Sequence, residues 1–160
     1  DIARCTSSAP TFFKPKKLSY DGKDGCLVDG GIYINNPSMS AFSECIDEEV
    51  KENIFIISLG CGRIHNTFNV DNLEKFSSID WLKVMIPMMM DGQSKATHKQ
   101  LKDIYKDIPE NYQRLQVELD HSESSMDDTS DENTKNLINK ANKYLCENKR
   151  QFDHIIDVIG

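Results

Sequence analysis

One carboxylate followed by two glycines stands in the middle of residues 26–41, C-L-V-D-G-G-I-Y-I-N-N-P-S-M-S-A. The apolar run Cys26-Leu27-Val28 brings the chain to Asp29 as the end of a buried strand would. Gly30 and Gly31 carry no Cβ, so a substrate or a second backbone can come close to that acid. A tight turn whose Asp caps its own backbone uses the same residues, and both readings stand at this point. A serine nucleophile needs a strained G-x-S-x-G elbow, and the sequence has none. The nearest approach, Gly92-Gln93-Ser94-Lys95-Ala96, follows a methionine-rich helical stretch instead of a strand, so Ser94 is expected to cap a helix. His65, His98, His121 and His154 form neither an H-x-x-x-H nor an H-E-x-x-H spacing, and no C-x-x-C occurs, so no metal is expected. Cys61 with His65 is a candidate thiol–imidazole pair, set against the commoner buried structural cysteine.

Two further stretches favour plain readings. Gly60-Cys61-Gly62 lacks the third glycine of a dinucleotide loop, and Arg63-Ile64-His65-Asn66 does not open a helix, so a strand-end turn is expected. The acidic run Asp127-Asp128-Thr129-Ser130-Asp131-Glu132 lacks the glycine and the final acid of a calcium loop, Ile138 standing at the twelfth position. Helix N-terminal charge explains it better.

The elements that must position these residues follow from periodicity. Residues 1–8 read as the tail of a helix with Ile2, Ala3 and Cys5 inward, closed by Pro10. A short strand is expected near Leu18, and Asp21-Gly22-Lys23-Asp24-Gly25 is turn chemistry joining it to the run at Cys26. Asn36-Pro37 is a helix start, with Asn as cap and Pro at the first helical position. Met39, Phe42, Ile46 and Val50 then make one apolar stripe, and Asn53 is a plausible stop. Ile54-Phe55-Ile56-Ile57-Ser58-Leu59 suits a strand buried on both faces, usually in a parallel sheet. Strand 26–28, the helix and strand 54–59 would form a βαβ unit with a right-handed crossover.

Beyond it, Ser78 or Asp80 is expected to cap a helix through Trp81, Leu82, Met85 and Ile86 that Pro87 kinks or breaks. Met88-Met89-Met90 is read as adaptable packing, and a second helix is expected from Gly92 or Gln93 to about Lys106. Tyr112 to Leu119 alternates as a half-buried strand. A Thr129–Glu132 capping box should open a helix with Leu137, Ile138, Ala141, Tyr144 and Leu145 inward. Phe152, Ile155, Ile156 and Ile159 mark a final short helix.

The 160 residues, 38% hydrophobic, suffice for one core. Twenty-six acids against nineteen bases give a net charge of −7, with no compensating Lys/Arg stripe, so no nucleic-acid partner is expected. No basic segment followed by an apolar stretch opens the chain, and no apolar run reaches the roughly 18 residues of a membrane span. Five cysteines, an odd number at irregular spacing, suit reduced and mostly buried thiols and a cytoplasmic site. The chain opens at Asp1 without an initiator Met and reads as starting inside an element.

Several blocks, in order, resemble one family. Ala3-Arg4-Cys5-Thr6-Ser7-Ser8-Ala9-Pro10-Thr11-Phe12-Phe13 is similar to the A-R-x-T-S-A-A-P-T-Y-F block of patatin-like phospholipases. Val28-Asp29-Gly30-Gly31 with Asn35-Asn36-Pro37 resembles that family's D-G-G/A motif and N-N-P helix start. Ile57-Ser58-Leu59-Gly60-Cys61-Gly62 resembles its S-L-G-T-G strand end. Asp91-Gly92-Gln93-Ser94, Asn111-Tyr112-Gln113-Arg114-Leu115-Gln116 and Met126-Asp127-Asp128-Thr129 resemble blocks of the plant patatins.

The resemblance implies an α/β protein, with a three-layer α/β/α fold and a mostly parallel sheet. Residues 1–160 would be the C-terminal portion of a single patatin-like domain whose N-terminal strands are missing, leaving an open sheet edge. It implies hydrolysis of lipid or phospholipid acyl esters, at a membrane surface, by a Ser–Asp dyad and without a cofactor. Asp29 would be the dyad aspartate, and Gly30 and Gly31 the loop that lets it approach the serine elbow. The serine and the oxyanion loop lie before this region in the family, so the chain alone is expected to be inactive. The alternative is a non-catalytic binding or structural module on the same scaffold.

Overall fold

The computed structural model describes residues 1–10, 12–64, 74–123, 125 and 127–160. A first helix, α1 (Ile2–Thr6), buries Cys5 but leaves Ile2 80% exposed, so the inward side is narrower than its apolar residues suggest. Strands β1 (Lys16–Tyr20) and β2 (Lys23–Leu27) form an antiparallel hairpin, with Tyr20 opposite Lys23. Asp21 and Gly22 between them have φ of 52° and 71°, the two left-handed residues of a type I′ turn, which matches the right-handed twist of the flanking strands. The turn is therefore two residues long, and Lys23, Asp24 and Gly25 belong to β2. This hairpin is also not the buried element expected before Asp29, because all five β2 residues are exposed.

Helix α2 (Ser38–Ile46) follows. The Asn36 Oδ1 accepts from the Ser38 backbone N–H at 3.2 Å and from the Ser38 hydroxyl at 2.6 Å, but Pro37 takes the cap position expected for Asn36, and the helix begins one residue later, at Ser38. The helix stops at Ile46, and Val50 lies beyond it at the surface.

Strand β3 (Ile56–Leu59) pairs in parallel with β5 (Tyr112–Leu115), and β4 (Arg63–Ile64) pairs in parallel with β6 (Glu118–Leu119). The stretch expected as one strand from Tyr112 to Leu119 thus comes in two pieces. The backbone N–H groups of Gly60 and Arg63 donate to Leu115 and Val117, which joins the two pairings into one interrupted ladder. Between paired positions the β3–β4 side carries one residue more than its partner. Gly62, at φ 109°, absorbs that bulge, and a Cβ there would lie 2.4 Å from Leu119.

The parallel pairing expected for residues 54–59 is present, but its βαβ unit is a different one. Strand 26–28 pairs with β1, and β3 connects to β5 through helix α3 (Ser78–Ile104). α3 is one continuous helix through Pro87 and Gly92, where two were expected. Ser77 caps it, where Ser78 or Asp80 was expected: its Oγ accepts from the Asp80 backbone N–H, and the Asp80 carboxylate accepts from the Ser77 N–H, a capping box. Its far half is pinned by Leu101, 0% exposed, and that anchorage offsets the backbone bond Pro87 cannot make. Helix α4 (Asp131–Glu147) is capped by Ser130 in place of Thr129, and α5 (Lys149–Ile159) ends the chain as expected.

The core lies between α2, α3 and the β3–β5 pair. Leu101, Tyr105 and Tyr112 are buried, with Met39, Phe42 and Ile56 packed on them. Phe42 meets Tyr105 edge-on at 5.8 Å, and the Tyr105 hydroxyl donates to the Ile54 carbonyl at 3.2 Å. Gln113, next in β5 and pointing the other way by strand alternation, accepts from Gln151 of α5 at 2.9 Å. The chain is α/β with small parallel pairings. All five cysteines are free, but only Cys5 is buried, because Cys26, Cys45, Cys61 and Cys146 fall on exposed faces of their elements. Leu137, Ile138 and Leu145 of α4 are likewise exposed.

Candidate active site

Asp29 sits where β2 has ended and a single 3-10 turn, Gly30–Ile32, begins. Its Oδ1 accepts from the Gly31 backbone N–H at 2.6 Å, and its own N–H donates to the Ser8 carbonyl at 3.1 Å. The carboxylate is half-buried, and its second oxygen has no hydrogen-bond donor among the described residues. One oxygen is thus fixed and the other open, which is what a proton acceptor for an incoming hydroxyl requires. The self-capping turn and the reactive acid are compatible in this geometry.

The two glycines have separate reasons. A Cβ on Gly31 would lie 2.9 Å from the Asp29 Oδ1 and 3.5 Å from the Met90 methyl, so a side chain would push the carboxylate from its N–H. A Cβ on Gly30 would come within 3.3 Å of the Thr6 hydroxyl. The Ala3–Phe13 block and the D-G-G segment therefore meet in space, although fifteen or more residues of hairpin separate them.

α3 holds the segment that follows. Gln93 donates to the Tyr33 carbonyl at 2.5 Å and accepts from the Asn35 N–H at 2.7 Å, using both ends of its amide on one stretch of backbone. The Asn35 side chain donates to the Met90 carbonyl at 3.3 Å, and that of Asn36 to the Ser94 carbonyl at 3.4 Å.

Ser94 itself is not a cap. It lies inside α3, where its hydroxyl accepts from Arg114 at 3.4 Å. That contact belongs to a network the sequence reading missed. Arg114 donates to the Ser58 hydroxyl at 2.8 Å and to the Gln116 Oε1 at 2.6 Å, and Ser58 shares a 2.6 Å bond with Ser38. The available signal was a serine inside an apolar strand run and an arginine within a half-buried one. Beside it, the His98 Nδ1 lies 3.0 Å from the Tyr112 hydroxyl. Burial lowers the His98 pKa, assisted by the Arg114 charge, and burial raises that of Tyr112. Ser38, Ser58, Ser94, His98, Arg114 and Gln116 line a cavity of about 670 Å³ between α3 and the ends of the strands.

Cys61 is exposed at the strand end, while His65, the other half of the candidate pair, lies outside the described residues, as do Thr11 and Met126. Among the described residues no group of His, Cys, Asp and Glu is placed to hold a metal.

No family model matches the chain. It is 29% identical, over 194 aligned positions that take in its whole length, to "Patatin-like protein 2" of Oryza sativa subsp. indica, covering 48% of that protein. The chain is a homologue of patatin-like proteins. "Patatin-like protein 1" of Arabidopsis thaliana is 25% identical over 96% of the chain and 44% of its own length. The rat "85/88 kDa calcium-independent phospholipase A2" is 23% identical over 98% of the chain and 21% of its own length. The chain spans about half the length of the patatin-like relatives it matches. The patatin-like similarity runs through both blocks that meet at Asp29.

Proposed function

We propose that this chain is the aspartate-bearing, C-terminal part of a patatin-type lipid acyl hydrolase with a three-layer α/β/α domain. Asp29 would be the base of a Ser–Asp dyad whose serine lies outside these 160 residues. The observation that carries this reading is the Asp29 carboxylate, fixed through one oxygen by the Gly31 N–H and open at the other. The homologues support it by name: several are patatin-like, and two are calcium-independent phospholipases A2.

In the reaction, the open oxygen would take the proton of the attacking serine hydroxyl as it adds to the acyl carbon, then return it to the departing alcohol. Gly31 leaves room for the bonded oxygen, so the carboxylate keeps its aim, and Gly30 lets the segment pack against Thr6. The substrate would be a lipid or phospholipid acyl ester met at a membrane surface. No described helix is long and apolar enough to cross a membrane, so the lipid would be reached from outside the bilayer core. A cytoplasmic address is part of the proposal, and fractionation of the tagged protein tests it.

The test is Asp29→Asn in the full protein, with turnover read on phospholipid vesicles and on a soluble ester. Loss of at least about 10⁴-fold in kcat is expected for a dyad member. Near-normal turnover removes Asp29 from the role. A natural protein without an upstream G-x-S-x-G would favour the non-catalytic module, and the chain by itself is expected to show no esterase turnover.

A further inference from the structure

The cavity beside α3 contains three strong cations, and two are neutralised. Lys95 pairs with Asp91 at 2.6 Å, and Arg63 with Glu118 at 2.5 Å. Arg114 pairs with no carboxylate among the described residues, although the chain carries seven more acids than bases. Its guanidinium is spread over the neutral oxygens of Ser58, Gln116 and Ser94.

Those partners are themselves fixed. The Ser38 hydroxyl donates to the Asn36 Oδ1 at 2.6 Å, so in the 2.6 Å bond between Ser38 and Ser58 the donor is Ser58. Donation therefore runs one way, from Arg114 to Ser58 to Ser38 to Asn36, and Ser58, Ser38 and Asn36 are all buried. Gly60 leaves the room for this: a Cβ there would fall 1.7 Å from the Gln116 Oε1 and 2.9 Å from the Arg114 Nη2. Arg114, Ser94 and His98 line the cavity and have donors left over. Among the described residues the Arg114 Nε–H, one Nη1 hydrogen and the Ser94 O–H have no acceptor, while the Ser94 oxygen accepts from Arg114. When the Tyr112 hydroxyl donates to the His98 Nδ1, the His98 Nε2–H is a further donor lining the same space.

We infer that this cavity binds an oxyanion, a phosphate or a carboxylate, with Arg114 as the charged anchor and Ser94 and His98 as added donors. A guanidinium held by neutral acceptors keeps its full charge and its planar fork, the geometry that recognises two oxygens of such an anion. Asp29 takes no part in this site, so the inference stands or falls separately from the hydrolase reading.

Isothermal titration of the full protein with inorganic phosphate and, separately, with octanoate tests it, with sodium chloride at matched ionic strength as the control. Saturable binding of either anion, weakened at least about tenfold by Arg114→Gln, is the expected result, as for loss of a charge-assisted pair. Phosphate alone saturating identifies a phosphate source; octanoate alone identifies a fatty-acid carboxylate. Arg114→Lys, which keeps the charge and loses the fork, covers the case in which the glutamine variant does not fold, and it should also bind more weakly. Binding that never saturates, that chloride reproduces, or that both variants keep at full strength overturns the inference.

Discussion

Asp29 and Gln93 show how two side chains fifty or more residues apart make one device. Asp29 is aimed by the Gly31 N–H, and the backbone after it is clamped by both ends of the Gln93 amide. Replacing Gln93 with Leu removes two hydrogen bonds and leaves their backbone partners to water, so a loss of roughly 1–2 kcal/mol is expected. Hydrogen exchange at the Asn35 amide should speed up with it, and an unchanged rate would remove the clamp. His98 carries a pH prediction. Burial and then the Arg114 charge hold its pKa below 6.5 in the folded chain. The unfolded chain takes up the proton first, so the stability tied to neutral His98 is complete above pH 6.5 and is lost as pH falls through 6.5 to the depressed value. Urea midpoints measured across that window should fall, and less steeply in His98→Gln. An identical slope in the variant assigns the fall to other groups.

Among the elements, α3 holds the most of the molecule together, since it caps the core with Leu101 and reaches the D-G-G segment with Met90 and Gln93. Local signals read it as two helices because Pro87 and Gly92 both oppose helix interiors, yet tertiary anchorage at its far end outweighs them. Leu101→Ala should therefore cost about 2–5 kcal/mol, against a few tenths for exposed Ile156→Ala. Pro87→Ala restores a backbone bond and should raise stability by up to about 3 kcal/mol, read as a higher denaturation midpoint. A lower midpoint would mean that the proline-shaped path of the helix is itself required. The hairpin was legible as two strands and a turn, because Asp-Gly is strong local chemistry. Its exposure was not legible, since an apolar run at Cys26–Val28 does not say what covers it.

The whole molecule exposes 12,144 Å². A compact monomer of 18.3 kDa would expose about 8,100 Å² on the usual scaling with mass, so the chain presents about half again as much surface as its size requires. Leu27, Val28, Ile32 and Tyr33 around the D-G-G segment are exposed, and so are Met85, Ile86, Met88 and Met89 on α3. Of the methionines expected to fill packing gaps, Met88 and Met89 face outward, while Met90 is half-buried beside Gly31. As a 160-residue chain the protein should bind a hydrophobic dye and associate as its concentration rises. A monodisperse, dye-silent monomer in light scattering would contradict that.

Residue order alone determined the parallel character of the strand within 54–59, the helix start beside Asn36 and Pro37 and the final helix, and it singled out Asp29 as a candidate. Each of these is set by chemistry within a few residues: β-branched runs, a side-chain acceptor beside free N–H groups, glycines beside an acid. Only the tertiary structure decided which strand β3 pairs with, that α3 runs unbroken, and that Arg114 lines a cavity with no carboxylate partner of its own among the described residues. Those outcomes depend on contacts between residues tens of positions apart, where burial and competing partners carry more energy than local preference.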